Sequence, residues 1–233
     1  MNGMRDWVKL PNAWIEDGGL RDFQWKRGRG ADELAALMVL AVIGHHADLQ
    51  EGIAQLTYDD LHWKATLSRA KIAAGLKILE KRGIVEPRPK GRGSYRLAGY
   101  DPHGGWAKLP ARRLYRNGSV AAFDHFNLRR PAELNALKLY FLFASRRDRK
   151  TNMANISYEK IEEFAGVSRN SIREALSVLA ANGLVHIEHT ASRIYEQGVA
   201  NAYRLAHLDS SRHMGTTGRQ LEGLEDVGAF EDA

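Results

Sequence analysis

Two long stretches of the chain, Ala31 to Ala47 and Ala132 to Arg146, carry apolar residues at helical spacing, and the strongly apolar face of each predicts a helix buried in its module. Beyond each stretch the periods shorten. Thr57 to Trp63 and Ser157 to Phe164 open on a hydroxyl residue suited to an N-cap, with an acid, Asp60 or Glu159, in the first turn. After the turns "KATLS" and "AGVS" a second cap is expected at Ser68 and Ser168, and apolar residues follow at 72, 76, 79 and at 172, 176, 179. Gly83 and Gly183 stand where a left-handed C-terminal cap is needed. "IVEPRP" and "LVHIEH" then have the short, β-branched character of strands, and the two "YRLA" segments close hairpins.

The same pattern is therefore written twice. Between residues 31–85 and 131–185, fifteen positions are identical without a gap, among them Ser68-Arg69, Ile72, Leu76, Leu79, Gly83 and Val85 with their partners 100 residues later. "WVKLP" at Trp7 matches "WAKLP" at Trp106, and the second hairpin has about eight extra residues before its "YRLA", as befits a loop. "GYDPHGGW" reads as the linker. The expected domains are residues 1–100, 101–208 and an acidic tail, 209–233. Helix, helix, turn, helix and two strands is the order of a winged helix-turn-helix. The expected fold class is thus α+β, mainly α with small β wings: two tandem winged helix-turn-helix domains from an internal repeat of about 100 residues.

Composition narrows the setting. Of 233 residues 44% are hydrophobic and 27% charged, as in ordinary globular proteins. The longest apolar run, Leu37 to Ile43, is far short of a membrane span, and the first twenty residues hold no secretory apolar region. With no cysteine there is no disulfide framework and no cysteine-ligated metal. The chain is expected in the cytoplasm, on nucleoid, plasmid or phage DNA, with no membrane partner. Its net charge of +6 is uneven: +4 over residues 1–100, +6 over 101–208 and −4 over the tail. Two basic bodies suit a polyanion.

"FAGVSRNSIREALSVLAANGLVHIEH" resembles the DNA-binding segment of GntR-type bacterial regulators, in which a V-S-R-x-x-[IV]-R-E-A-L-x-x-L-x-x-x-G-L-[IV] run forms the recognition helix. The match covers about 25 residues; where that family carries a ligand-binding C-terminal domain, here a second copy stands on the N-terminal side. The layout of each copy, W-x-K-L-P ahead of an apolar helix and a winged helix, also resembles the DNA-binding modules of plasmid and phage replication initiators.

Stepping 100° per residue from the apolar stripe puts Asn170, Glu174, Ser177 and Ala181 on the outer face of the second copy, flanked by Ser171 and Arg173. Asn and Arg are the side chains that read adenine and guanine in the major groove. The first copy presents Ala70, Ala74, Lys77 and Lys81, flanked by Lys71 and Ala73: methyl groups for thymine and ammoniums for phosphates. Arg69 and Arg169, beside the Ser68 and Ser168 caps, are placed to reach a phosphate. In the first hairpin loop Arg88, Lys90 and Arg92 suit the DNA backbone or a narrow minor groove; the second offers Arg193.

Other readings carry less. Trp7 and Trp106 are expected in the core. His45, His46, His186 and His189 lack the companions of a metal site. "RGRGAD" lacks the P-loop lysine, and no G-x-S-x-G or H-E-x-x-H occurs. No enzymatic activity, cofactor or metal is expected. The expected function is sequence-specific binding of double-stranded DNA by a transcriptional regulator, as a monomeric pseudo-dimer or a homodimer. The alternatives are a plasmid or phage replication initiator and, from another class, a protein-interaction scaffold. The tail from Asp209 is expected to be a solvated extension or a competitor for the basic surface.

Overall fold

The structure, a computed structural model, describes residues 4–191 and 199–208, without the side chains of 189–201. Arg193 and the acidic tail lie outside the described residues. The sequence repeat becomes two matching series of elements. The first runs β1 (Trp7–Pro11), α1 (Ala13–Glu16), α2 (Gly30–His46), β2 (Ile53–Gln55), α3 (Tyr58–Ala65), α4 (Arg69–Lys81), β3 (Val85–Pro87) and β4 (Ser94–Leu97). The second runs β5 (Trp106–Pro110), β6 (Tyr115–Arg116), β7 (Ser119–Val120), α5 (Pro131–Arg146), β8 (Met153–Asn155), α6 (Tyr158–Ala165), α7 (Arg169–Ala181), β9 (Val185–Ala191) and β10 (Val199–Leu205). This is an α+β fold with small antiparallel sheets. Among the described residues no helix is long and apolar enough to cross a membrane.

The expected local signals act where they stand. Thr57 and Asp60 form a reciprocal capping box at α3, and the Ser157 and Ser68 hydroxyls accept from the amides of Lys160 and Lys71 at 3.3 Å. Gly83 and Gly183 both adopt φ 64°, the left-handed conformation that ends α4 and α7. Ser168 departs from expectation: its hydroxyl makes no cap bond and instead meets the Ser171 hydroxyl at 3.0 Å. At the third helical position the first copy has Lys71, which offers no competing oxygen.

Each hairpin gains a third strand that the periodicity did not announce. β2 pairs with β4, placing Ile53 opposite Arg96, and β8 pairs with β10, placing Met153 opposite Arg204, so the sheet orders are β2-β4-β3 and β8-β10-β9. Three residues are too few to show an alternation. Asp48 and Asp148, identical in the repeat, hold the turns before these strands by accepting from the amides of Gln50 and Glu51 and of Lys150 and Thr151. These bonds hold both carboxyls below their ordinary pKa against the opposing effect of burial.

The two halves are joined by their own repeated motif. β1 and β5 pair antiparallel with Trp7 opposite Pro110, Lys9 opposite Lys108 and Pro11 opposite Trp106. Each copy of W-x-K-L-P thus faces its counterpart in reverse, and an approximate two-fold axis passes between the two lysines. Val8, Leu10, Ala107 and Leu109 turn into the core, while Trp7 and Trp106 are half-buried and stack on each other at 5.9 Å, each under the other strand's lysine. They therefore cover the ribbon rather than sit in the core.

The residues after each strand cross over. α1 and the 3-10 turn Gly19–Asp22 pack on α5 and α6, whereas the β6–β7 hairpin packs on α3, where Trp63 donates to the Asn117 carbonyl at 3.3 Å. α2 and α5 cross at the centre, and the buried apolar residues of both halves form one cluster. Almost every residue of α2 is buried, because α4, α5 and the ribbon cover different sides of it.

Candidate nucleic-acid interface

The packing of α4 and α7 decides which faces they present. Ile72 and Leu79 in α4, and Ile172, Ala175, Leu176 and Leu179 in α7, are buried against α2 and α5 respectively. Gly75 takes the place of Ala175, and a Cβ there would lie 3.0 Å from the Ala36 backbone, so α4 crosses α2 unusually closely.

The opposite faces are bare. In α7 Asn170, Arg173, Glu174, Ser177 and Ala181 are exposed; in α4 so are Ala70, Ala73, Lys77 and Lys81, with Ala74 and Lys71 half-buried. On α7 the polar groups differ in what they have left to offer. The Ser177 hydroxyl donates to the Arg173 carbonyl at 3.0 Å, leaving only its acceptor lone pairs. Ser168 and Ser171 bond each other. Glu174 accepts from Arg130 at 2.8 Å, which offsets the one negative charge on the face. Asn170 and Arg173 have no side-chain partner among the described residues.

Several of the candidate cations are held by carboxylates. Arg69 pairs with Asp59 and Arg169 with Glu159, the latter at 3.3 Å; Lys71 meets Asp32 at 2.7 Å and Lys90 pairs with Glu51. The Glu159 carboxyl is held low by its own backbone N–H, the Ser157 hydroxyl and Arg169. Solvent screens the exposed pairs of Arg69, Arg169 and Lys90 strongly, so there a phosphate can replace the carboxylate at little cost. Lys77, Lys81, Arg88, Arg92 and Arg173 form no ion pair among the described residues.

The first hairpin loop is tied internally. Ser94, fully buried, accepts from the Lys90 amide at 2.9 Å and donates to the Gly91 carbonyl at 2.7 Å; its own carbonyl accepts from the Arg88 amide at 2.7 Å. Arg88 is held at φ 62°, a left-handed conformation that a non-glycine residue adopts at some cost in strain. The loop thus displays the exposed Arg88 and Arg92 from a fixed backbone.

Residues that sequence reasoning passed over tie distant parts of the chain together, and two of them, Lys138 and His45, do so across the two halves. Arg82 grips the buried Glu33 with two bonds, 2.7 and 3.0 Å, donates to the Asp22 carbonyl and lies over the Phe23 ring. Lys138, buried on α5, donates to the Phe23 carbonyl of the other half at 2.9 Å, and burial lowers its pKa to about 8. His45 Nδ1 meets the Tyr115 hydroxyl at 3.0 Å across the same junction. The signal was a charged residue inside an apolar run, Lys138 between Leu137 and Leu139, where the other copy has Met38. Among the described residues no cluster of His, Asp and Glu could hold a metal ion; His45 is buried, His46 half-buried and His186 exposed.

Compared with known proteins, the chain matches no protein-family model, and a search of the curated proteins gives no match.

Proposed function

We propose that this chain is a sequence-specific double-stranded-DNA-binding protein made of two tandem winged helix-turn-helix modules, working as a transcriptional regulator without catalysis of its own. The observation that carries this reading is the pair of bare outer faces on α4 and α7, set by one approximate two-fold axis, one of them offering Asn170 and Arg173 with their donors unused. Asn pairs bidentately with adenine and Arg with guanine, so α7 supplies base readout. α4, with methyl groups and the unpaired Lys77 and Lys81, and the hairpin loop with Arg88 and Arg92, supply backbone grip.

Because the two faces differ, such a reader has a direction along the duplex although its scaffold is nearly symmetric. That polarity favours a second reading, a replication initiator, since directional readers can be set in head-to-tail arrays along an origin.

Titration of labelled duplexes tests the assignment. Asn170→Ala or Arg173→Ala is expected to weaken the selected site by about 1 to 3 kcal/mol while leaving random DNA nearly unchanged. Equal losses on both would refute readout by α7.

A further inference from the structure

The glycine-rich run "KRGRG", Lys26 to Gly30, leads into α2, and "LRR", Leu128 to Arg130, leads into α5. Positions 28 and 128 are equivalent in the repeat, and both backbones turn left-handed there, Gly28 at φ 77° and Leu128 at φ 60°. Each loop is held by the residues beneath it. In the first the Trp25 ring packs so closely on Gly30 that a Cβ there would clash with it. In the second the buried Glu133 carboxylate accepts from the Asn127 and Leu128 amides at 3.1 and 2.9 Å, and the Asn127 side chain accepts from the Arg129 amide at 2.9 Å. The side chains of Lys26, Arg27, Arg29, Arg129 and Arg130 are left exposed on these held backbones.

Both loops stand beside the helices with bare outer faces. Arg130 meets Glu174, on the outer face of α7, at 2.8 Å. By the repeat the equivalent pair in the first half is Gly30 and Ala74, and the packing of α4 agrees. α4 crosses α2 where a Cβ on Gly75 would lie 3.0 Å from the Ala36 backbone, and Lys71, at the start of α4, meets Asp32 in the first turn of α2 at 2.7 Å. Gly30 lies six residues, about 9 Å, along α2 from that crossing. A helix seated in a major groove about 12 Å wide has a phosphate ridge on each side. A loop at this distance from the middle of α4 falls beside one of those ridges.

Lys26, Arg27, Arg29 and Arg129 form no ion pair among the described residues. The carboxylates that open the two helices are turned to other partners. Asp32 meets Lys71, Glu33 is gripped by Arg82 at 2.7 and 3.0 Å, and Glu133 holds the amides of its own loop. Only Arg130 of the five cations is paired, with the exposed Glu174.

We infer that these loops are a pair of phosphate clamps: Lys26, Arg27 and Arg29 take the DNA backbone beside α4, and Arg129 takes it beside α7. Arg130 stays with Glu174 and offsets its charge. The inference rests on the DNA-binding reading above and deepens it, since it adds a contact at equivalent places in both modules. The second module gains by it most, because the Arg169 guanidinium beside its recognition helix is already shared with Glu159.

The test is the affinity of the full chain for a random-sequence duplex as salt is varied. Lys26→Gln/Arg27→Gln/Arg29→Gln is expected to flatten the slope of log affinity against log salt by up to about 2.7, and Arg129→Gln by about 0.9, at one phosphate per cation. The base preference at a selected site should stay that of the wild type. Arg149→Gln/Lys150→Gln removes charge at the far end of α5, about 24 Å from Arg130, and should leave the slope unchanged. A loss of equal size per charge there would overturn the inference, because net charge and not contact would then set the slope. The absence of cysteine allows a second measurement that does not depend on the triple variant folding. An iron chelate on Arg27→Cys or Arg129→Cys should cut the DNA backbone beside the bound segments, whereas on His103→Cys, in the exposed linker, it should cut nothing. A wild type that binds while both loop variants keep its slope, or chelates at 27 and 129 that leave the DNA intact, would overturn the clamps and leave the DNA-binding reading standing. A wild type that binds no duplex would overturn both.

Discussion

Acidification from pH 7.5 to 5 is expected to weaken the fold by about 2 kcal/mol through a single side chain, His45. Its ring is fully buried at the junction of the two halves, and Nδ1 meets the Tyr115 hydroxyl at 3.0 Å. Burial is the main cause that lowers its pKa from 6.5 to about 3; His46 adds to the shift and the Pro110 carbonyl partly offsets it. A histidine depressed on folding stays neutral in the native state while the unfolded chain takes up a proton. Its contribution is therefore fully present above pH 6.5 and is lost progressively as the pH falls toward 3. At pH 5 the unfolded imidazole is mostly protonated and the native one is not, which corresponds to about 1.5 units of 1.36 kcal/mol each. His46, lowered to about 4 by burial and by Lys64, adds a loss of its own. The ordinary carboxylates change little in this window.

The double variant His45→Phe/Tyr115→Phe removes both buried polar partners together and leaves neither unsatisfied. Urea unfolding followed by circular dichroism at pH 7.5 and 5 gives the stability difference for each protein. The variant is expected to lose about 2 kcal/mol less than the wild type over that interval. Equal losses in the two proteins would show that His45 titrates normally and that the junction is not buried as described.

Two further perturbations test the packing. Gly75→Ala is expected to lower stability by about 1 to 2 kcal/mol in the same unfolding assay, despite the better helix propensity of alanine, because its methyl would press on the Ala36 backbone; a gain in stability would mean that α4 stands farther from α2. Lys138, lowered to about 8 by burial, is neutralised in the native state before the unfolded chain, so wild-type stability should rise by about 2 kcal/mol between pH 7.5 and 9.5. Lys138→Met, which installs the residue of the other copy, should abolish that rise.

Much of each module was legible because its signals are local. The cap at Thr57, the stripe at 172, 176 and 179 and the left-handed glycines at 83 and 183 act on neighbours within a few residues, so spacing alone places the helices and hairpins. The exposed face of α7 followed from the same periodicity. What escaped depends on residues far apart in the chain. No period in "WVKLP" says that it pairs with "WAKLP", and nothing near Lys138 names the Phe23 carbonyl as its partner. Charge also misled in detail: Arg69, Arg169, Lys71 and Lys90 look free in the sequence, yet each meets a carboxylate at least ten residues away.

Hydroxyl-radical footprinting of the full chain on a duplex selected from a random library tests the central claim most directly. Two modules set by a two-fold axis should protect two segments centred a whole number of helical turns apart, each turn about 10 bp. The halves should differ in sequence, and Arg173→Ala should relax the base preference in only one of them. Protection confined to one segment, or no selected sequence at all, would contradict the account.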